Sequence, residues 1–140
     1  AGCPVGLAVD GSASNDHSNL AEEMRQALLL GRLRYSPNRV THDDVIRWAT
    51  RGSAACLGRS DIGGLAPGQQ ADLALFRLDE ARFSGADNPV AALLLCGAHR
   101  ADRVMVAGRW RLTDGRPRDV DLDTLLARHD QAARELRGSR

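Results

Sequence analysis

The chain opens with a short apolar run that is followed by a long helical pattern. In residues 5–9, Val5, Leu7 and Val9 alternate with small residues, without any polar alternation. Such a run is typical of a strand buried in a parallel sheet. Farther on, leucines and other apolar residues recur at helical spacing. This recurrence predicts a helix over residues 20–34, which Asn19 caps.

A second helical pattern begins at Thr41, which is expected to cap it. We expect Gly52 to interrupt this helix and Ser53 to cap a final turn. Gly58 follows the last apolar position and predicts the end of the helix.

From about residue 59 the pattern changes to glycine-containing turns and short apolar runs. The runs predict strands at residues 72–78, 104–106 and 110–112, and the last two are expected to form a hairpin around Gly108. Turns are predicted at residues 65–68 and 113–115, and a short helix over residues 88–95. Asp121 then begins a last helix whose apolar residues recur at 3.6-residue spacing and which ends near Gly138. The predicted class is therefore mixed α/β, in two parts.

Asp10 directly follows the first predicted strand, and a loop of small and polar residues leads from it to the first helix. In barrels and open α/β sheets, functional residues collect at the carboxyl ends of strands. A buried charge without a partner is expensive. We therefore expect this carboxylate to hold a metal, a proton or a helix N-terminus.

Four stretches of the chain resemble the amidohydrolase superfamily. The first is Val-Asp-Gly-Ser-Ala-Ser-Asn-Asp at residues 9–16, which resembles the motif of barrel strand eight. The other three follow in order at residues 49–58, 68–75 and 101–109. The resemblance points to the branch that contains 8-oxoguanine deaminase and the triazine chlorohydrolases. It is greatest to the deaminase, through residues 10–20 and 94–102.

The resemblance implies that the chain is the C-terminal fragment of a longer enzyme. Residues 1–58 would then be the last strand and helices of a metal-dependent (β/α)8 barrel. Residues 59–140 would be the C-terminal share of a flanking β-sandwich, with a terminal helix. A complete barrel needs about 200 residues or more, whereas the chain has 140.

The resemblance also implies a function and a set of site residues. The full-length parent would be a hydrolase that deaminates a purine-type base and releases ammonia, with one divalent metal, zinc or iron. Asp10 would be both metal ligand and catalytic proton shuttle, and Gly11 and Ser14 would line the substrate pocket. Spacing alone leaves an alternative open, in which Asp10 caps a nearby helix N-terminus or binds loop amides, and Gly11 and Ser14 are ordinary loop residues.

The other metal ligands of this family cannot be mapped onto the chain. They include a His-x-His motif and histidines from two further strands, and a glutamate acts as general acid–base. The four histidines here, His17, His42, His99 and His129, show no pair spacing. The fragment alone is therefore expected to be inactive, with the missing N-terminal part of the enzyme as its partner.

The composition limits the kinds of partner that the protein is expected to bind. Nineteen basic and eighteen acidic residues give a formal net charge of +1. This balance offers no basic surface for nucleic acid or a membrane. Cys3, Cys56 and Cys96 lack C-x-x-C spacing and predict reduced core cysteines of a cytoplasmic protein. The expected partners are a small purine-like substrate and, for the parent, further copies in a homo-oligomer.

Three alternatives remain beside the deaminase. A chlorohydrolase or another aminohydrolase of the same family would act on a triazine or pterin ring. A non-catalytic module would explain why most metal ligands are absent from the chain. A nucleotide-binding half-Rossmann unit is disfavoured, because the G-x-G-x-x-G spacing is absent and Asp10 would repel a phosphate.

Overall fold

The computed structural model describes residues 2–97 and 100–138, which contain helices in both halves of the chain and a small sheet in the second half. The elements are α1 (Leu20–Arg34), α2 (His42–Arg47), a π-helical turn (Trp48–Gly52), α3 (Ser53–Cys56), β1 (Leu73–Leu75), a 3-10 turn (Ala81–Phe83), α4 (Pro89–Leu95), β2 (Arg103–Val106), β3 (Arg109–Thr113), β4 (Arg116–Pro117) and α5 (Leu122–Gly138). The predicted mixed α/β class is confirmed. The division into two domains at residues 58 and 59 stays a prediction.

The apolar run at the start of the chain does not form the predicted strand. Residues 2–10 have no regular secondary structure, and the side chain of Val5 is 56% exposed. A strand needs a neighbour to pair its N–H and C=O groups. Within the described residues, the sheet contains only β1 to β4, and none of them reaches this segment. The prediction of a buried strand over residues 5–9 is therefore wrong for this structure.

Helix α1 has the predicted bounds and builds one wall of the core. The side-chain oxygen of Asn19 accepts a hydrogen bond from the backbone N–H of Ala21 at 3.0 Å, which caps the helix. Leu28 is completely buried in a cluster with Val40, Val45 and Leu94. This cluster joins α1 to α2 and α4.

Helix α2 begins at its predicted cap, Thr41, which forms a reciprocal capping box that was not predicted from the sequence. The Thr41 hydroxyl accepts from the Asp44 N–H at 3.3 Å, and the Asp44 carboxylate accepts from the Thr41 N–H at 2.9 Å. The helix is not broken at Gly52 but widens into the π-turn, and α3 follows without a new cap. The prediction that Ser53 caps a last turn is therefore wrong, whereas Gly58 ends the helix in a left-handed conformation, at φ +66°.

The sheet is antiparallel throughout, in the order β1-β2-β3-β4. Ala107 and Gly108 form the turn between β2 and β3 with φ of 47° and 76°, as a tight hairpin requires. Asp114 and Gly115 do the same between β3 and β4. The predicted hairpin and turns are confirmed. The first strand is shorter than predicted, since β1 covers only Leu73–Leu75.

Helix α4 connects the helices to the sheet region. Asn88 caps it, and its Leu94 lies in the main cluster. Ala92 packs instead with Phe83 in a second cluster, while Leu93 packs against both. The two clusters therefore form a continuous core through α4.

Helix α5 begins at its predicted cap, because Asp121 accepts from the N–H of Thr124 at 3.1 Å. None of its side chains is buried, and Leu125 and Leu126 are about half exposed. Within the described ranges, no helix is both long enough and apolar enough to cross a membrane.

Candidate active site

Asp10 lies at the end of the irregular segment, in a backbone conformation that few residues adopt. Its φ is +61°, in the left-handed region. Aspartate enters this region more readily than most residues, at a cost of about 1–3 kcal/mol. The Oδ1 atom accepts from the Gly11 N–H at 2.7 Å. The other oxygen, Oδ2, has no hydrogen-bond partner among the described residues, so the exposed side chain retains a free ligand atom.

Gly11 begins a turn that places Ser14 on the surface. The carbonyl oxygen of Gly11 accepts from the N–H groups of Ser14 at 2.8 Å and Asn15 at 2.9 Å. Ser14 lines an open depression of about 530 Å³ beside the first turns of α1. Asp10 and Gly11 do not line it. The three predicted site residues therefore lie on one loop, but the structure does not enclose them in one pocket.

Asn15 ties the backbone before Asp10 to helix α1. Its Nδ2 donates to the carbonyl oxygen of Val9 at 2.9 Å and to the Oε1 of Glu23 at 2.7 Å. Its Oδ1 accepts from the His17 N–H at 3.1 Å. The sequence predicts only a turn residue at this position. Nothing in the local pattern shows that its amide reaches Glu23.

Ser53 holds the same segment from the other side. Its Oγ accepts from the N–H of Leu7 at 3.1 Å and lies 2.9 Å from the Leu7 carbonyl oxygen, to which it donates. Two glycines permit this approach. A Cβ on Gly6 would lie 2.7 Å from the Cα of Ser53, and a Cβ on Gly52 would overlap the Val5 carbonyl oxygen. The segment therefore packs on the π-turn and α3 almost backbone to backbone.

The described residues do not form a complete metal site. The described residues contain no group of three or more His, Cys, Asp or Glu side chains able to hold an ion. A catalytic zinc ion usually takes three protein ligands. Asp10, with its free Oδ2, fits as one member of such a set but not as the whole set.

The three histidines that the structure describes do not complete a metal set around Asp10. His17 is exposed, His42 lies 3.2 Å from the Asn88 amide nitrogen, and His129 is exposed on α5. His99 lies outside the described residues.

The prediction of core cysteines is wrong at two positions, because Cys3 and Cys56 are exposed. Cys96 is half-buried. The first cysteine belongs to the irregular segment and the second to the last turn of α3, so neither packs in the core.

These features agree with the family to which the sequence can be assigned. The model of the Amidohydrolase family matches residues 1–111 of the chain. The match covers the Asp10 loop, all of the helices up to α4 and the hairpin as far as the middle of β3. The chain therefore belongs to the amidohydrolase family.

Among individual relatives, the chain is 64% identical to the 8-oxoguanine deaminase of Pseudomonas aeruginosa over 136 residues, which is 97% of the chain and 30% of that enzyme. The structure superposes on the atrazine chlorohydrolase of Arthrobacter aurescens TC1 in complex with zinc, with a TM-score of 0.84 and 38% identity, covering 91% of this chain and 29% of that one. It also superposes on a zinc-bound adenosine deaminase from Xanthomonas campestris, with a TM-score of 0.87 and 28% identity, covering 95% and 31%. The chain thus spans about a third of the length of these relatives. The family predicted from the motifs is confirmed.

Proposed function

We propose that this chain is the C-terminal part of a metal-dependent deaminase that acts on 8-oxoguanine or a closely related oxidised purine. The observation that carries the proposal is the 64% identity to an 8-oxoguanine deaminase over 97% of the chain, a span that includes Asp10. An exposed carboxylate with a free oxygen is what the catalytic role requires of this residue.

The proposal includes an architecture for the complete enzyme. Residues 1–58 supply the last strand and helices of its (β/α)8 barrel, and residues 59–140 supply part of a β-sandwich with the terminal helix. The irregular segment supports this assignment, because its Gly6 and Ala8 make no backbone hydrogen bond within the described ranges. These groups are available for a neighbouring strand from the rest of the enzyme.

Asp10 has two tasks in the proposed reaction. Its Oδ2 would hold the divalent metal, zinc or iron, which when bound lowers the pKa of water and supplies a nucleophile near neutral pH. The Asp10 carboxylate accepts the proton that water loses as it attacks the ring carbon. It then returns this proton to the exocyclic nitrogen, so that the C–N bond breaks and ammonia leaves. The Gly11 N–H, bonded to Oδ1, keeps the carboxylate in one orientation during these transfers.

Gly11 and Ser14 form the substrate side of the proposed site. A Cβ on Gly11 would meet nothing within 4 Å, so the space beside this residue is open to a planar ring. The Ser14 side chain is exposed at the edge of the same loop, where a hydroxyl can bond a polar edge of the base.

The test is product release by the complete enzyme that carries this segment. Ammonia would be measured with 8-oxoguanine, guanine and isocytosine, and chloride with a chlorinated triazine. We expect the highest kcat/KM for 8-oxoguanine. Faster chloride release from the triazine would overturn the deaminase assignment, and no product from any of the four would favour the non-catalytic module.

The chlorohydrolase is the second candidate, and one observation favours it. The fold is shared with an atrazine chlorohydrolase at 38% identity, over 91% of the chain. Both reactions use water to displace a group from a nitrogen-containing ring, and both can use the same carboxylate. Only the leaving group distinguishes them, which is why ammonia and chloride are measured side by side.

A further inference from the structure

We propose that Asn15 and Ser53 are positioning residues that fix the backbone of residues 7–10 and so direct the carboxylate of Asp10. Each binds the irregular segment by its side chain. Neither was expected to do so from the sequence pattern. The catalytic consequence of the inference rests on the proposed function, whereas the hydrogen bonds that carry it do not.

The segment depends on these two side chains because it lacks regular structure. Within the described residues, no strand pairs with residues 2–10. In residues 5–9, hydrogen bonds within the described ranges involve the N–H and C=O of Leu7 and the C=O of Val9, and their partners are Ser53 and Asn15. One side of the segment is thus bound by the chain's own side chains, and the other is left for the rest of the enzyme.

Asn15 acts next to the carboxylate. The Val9 carbonyl belongs to the rigid peptide plane that ends at the Cα of Asp10. Holding this carbonyl at 2.9 Å restricts the rotation that would redirect the Asp10 side chain. The Asn15 amide is itself fixed, because its Nδ2 also donates to Glu23 and its Oδ1 accepts from the His17 N–H. Through this attachment, the direction of the Asp10 side chain depends on the position of α1.

Ser53 acts at Leu7, three residues before Asp10, and fixes the position of the segment. A hydroxyl is suited to the task, since it accepts from the Leu7 N–H and donates to the Leu7 carbonyl oxygen. The same Oγ lies 3.1 Å from the carbonyl oxygen of Trp48, five residues back. The π-turn therefore sets the direction in which Ser53 faces the segment. Without the extra residue of the π-turn, a regular α-helix would rotate the Ser53 side chain by about 100°.

The experiment compares variants of the complete enzyme, with amide hydrogen exchange and steady-state kinetics as readouts. Ser53→Ala removes both bonds to Leu7, and Asn15→Asp keeps the shape but loses the donor to Val9. Two variants serve as matched controls. Thr50→Ala removes a hydroxyl of the same π-turn that bonds only the Ile46 carbonyl oxygen, and Glu23→Gln keeps an acceptor for Asn15.

We expect exchange in residues 7–10 to rise at least tenfold in Ser53→Ala and Asn15→Asp, and to stay within twofold in the controls. A misplacement near 1 Å costs about 100-fold in rate. We therefore expect kcat to fall about 10- to 100-fold, with KM changed less than threefold.

A second variant separates positioning from stability. In Asn15→Asp/Glu23→Gln, the new amide can donate to the new carboxylate, which restores the link to α1 but not the bond to Val9. We expect its thermal midpoint to return towards the wild-type value while kcat stays low. Recovery of kcat together with the midpoint would overturn the positioning role, as would unchanged exchange in residues 7–10. If the wild-type enzyme released no product, the proposed function would fail, and the exchange data alone would still decide whether these side chains hold the segment.

Discussion

The hairpin region and the Asp10 segment are stabilised in opposite ways. The strands β2 and β3 pair with each other, and their turn is made by two adjacent residues, Ala107 and Gly108. The segment of residues 2–10 is held instead by Ser53, 46 residues away from Leu7, and by Asn15. The first region is thus specified locally. The second, which carries the candidate catalytic residue, is held by side chains outside the segment, one of them 46 residues away.

The largest expected effect follows from replacing the carboxylate itself. Asp10→Asn keeps the shape, and asparagine tolerates the left-handed φ, so the fold should persist. Loss of general-base function alone costs about 10²- to 10⁴-fold in kcat. Steady-state kinetics and circular dichroism of the complete enzyme would check both expectations. Near-normal turnover with normal metal content would mean that Asp10 only caps its loop.

The next effect tests the packing of the segment. Gly52→Ala would drive a Cβ into the Val5 carbonyl oxygen, so residues 5–7 must move away from the π-turn. We expect kcat to fall about 100-fold, as for a misplacement near 1 Å. Gly138→Ala is the matched control, because a Cβ there would meet nothing within 4 Å. Equal activity of the two variants would show that this contact does not matter to the site.

A change in the hairpin should affect stability and spare activity. Gly108 has φ +76°, where a side chain costs about 1–2 kcal/mol. Gly108→Ala should lower the free energy of unfolding by about that amount, and kcat should stay within twofold. Chemical denaturation and kinetics would show it. A large fall in kcat at unchanged stability would contradict the separation of the two regions.

Helix bounds, caps and turns were predicted correctly where the residues that determine them are close together in the chain. The bounds of α1, the cap at Thr41 and the turns at Gly108 and Gly115 all depend on neighbours within a few positions. The predicted strand at residues 5–9 failed, because a strand depends on partners elsewhere.

The same distinction applies to the candidate site. Asp10 was predicted from its motif and its place after an apolar run, and its role stays a prediction. The contacts of Ser53 were missed, because a hydrogen bond over 46 residues leaves no periodic signal. Those of Asn15 span only six and eight residues, but they join an irregular segment to a helix, where no regular spacing applies. Ser53 was assigned to a local cap, which is the alternative that a sequence pattern favours.

The smallest expected effect concerns the cap of α2 and depends on pH. The hydrogen bonds from Thr41 lower the pKa of Asp44 from its ordinary value of 3.8. A carboxyl group with a lowered folded pKa stabilises the fold above its unfolded pKa, and this contribution is lost as the pH falls through the folded value. Thr41→Ala should therefore cost about 1 kcal/mol at neutral pH.

The difference between wild type and Thr41→Ala should shrink as the pH falls below 3.8. Denaturation midpoints at pH 7 and at pH values below 3.8 would measure it. A constant difference over this range would show that the Asp44 carboxylate does not contribute to the cap.

The central claim is that this chain carries one part of a divided active site, with Asp10 as its single metal ligand. The most direct measurement is the zinc content after dialysis, together with ammonia release from 8-oxoguanine, for residues 1–140 alone and for the complete enzyme. We predict that the complete enzyme retains zinc and releases ammonia. Residues 1–140 alone should do neither, since the residues that the structure describes contain no group of three ligands such as catalytic zinc requires. A stable 140-residue chain that retains one zinc ion and releases ammonia would contradict the account.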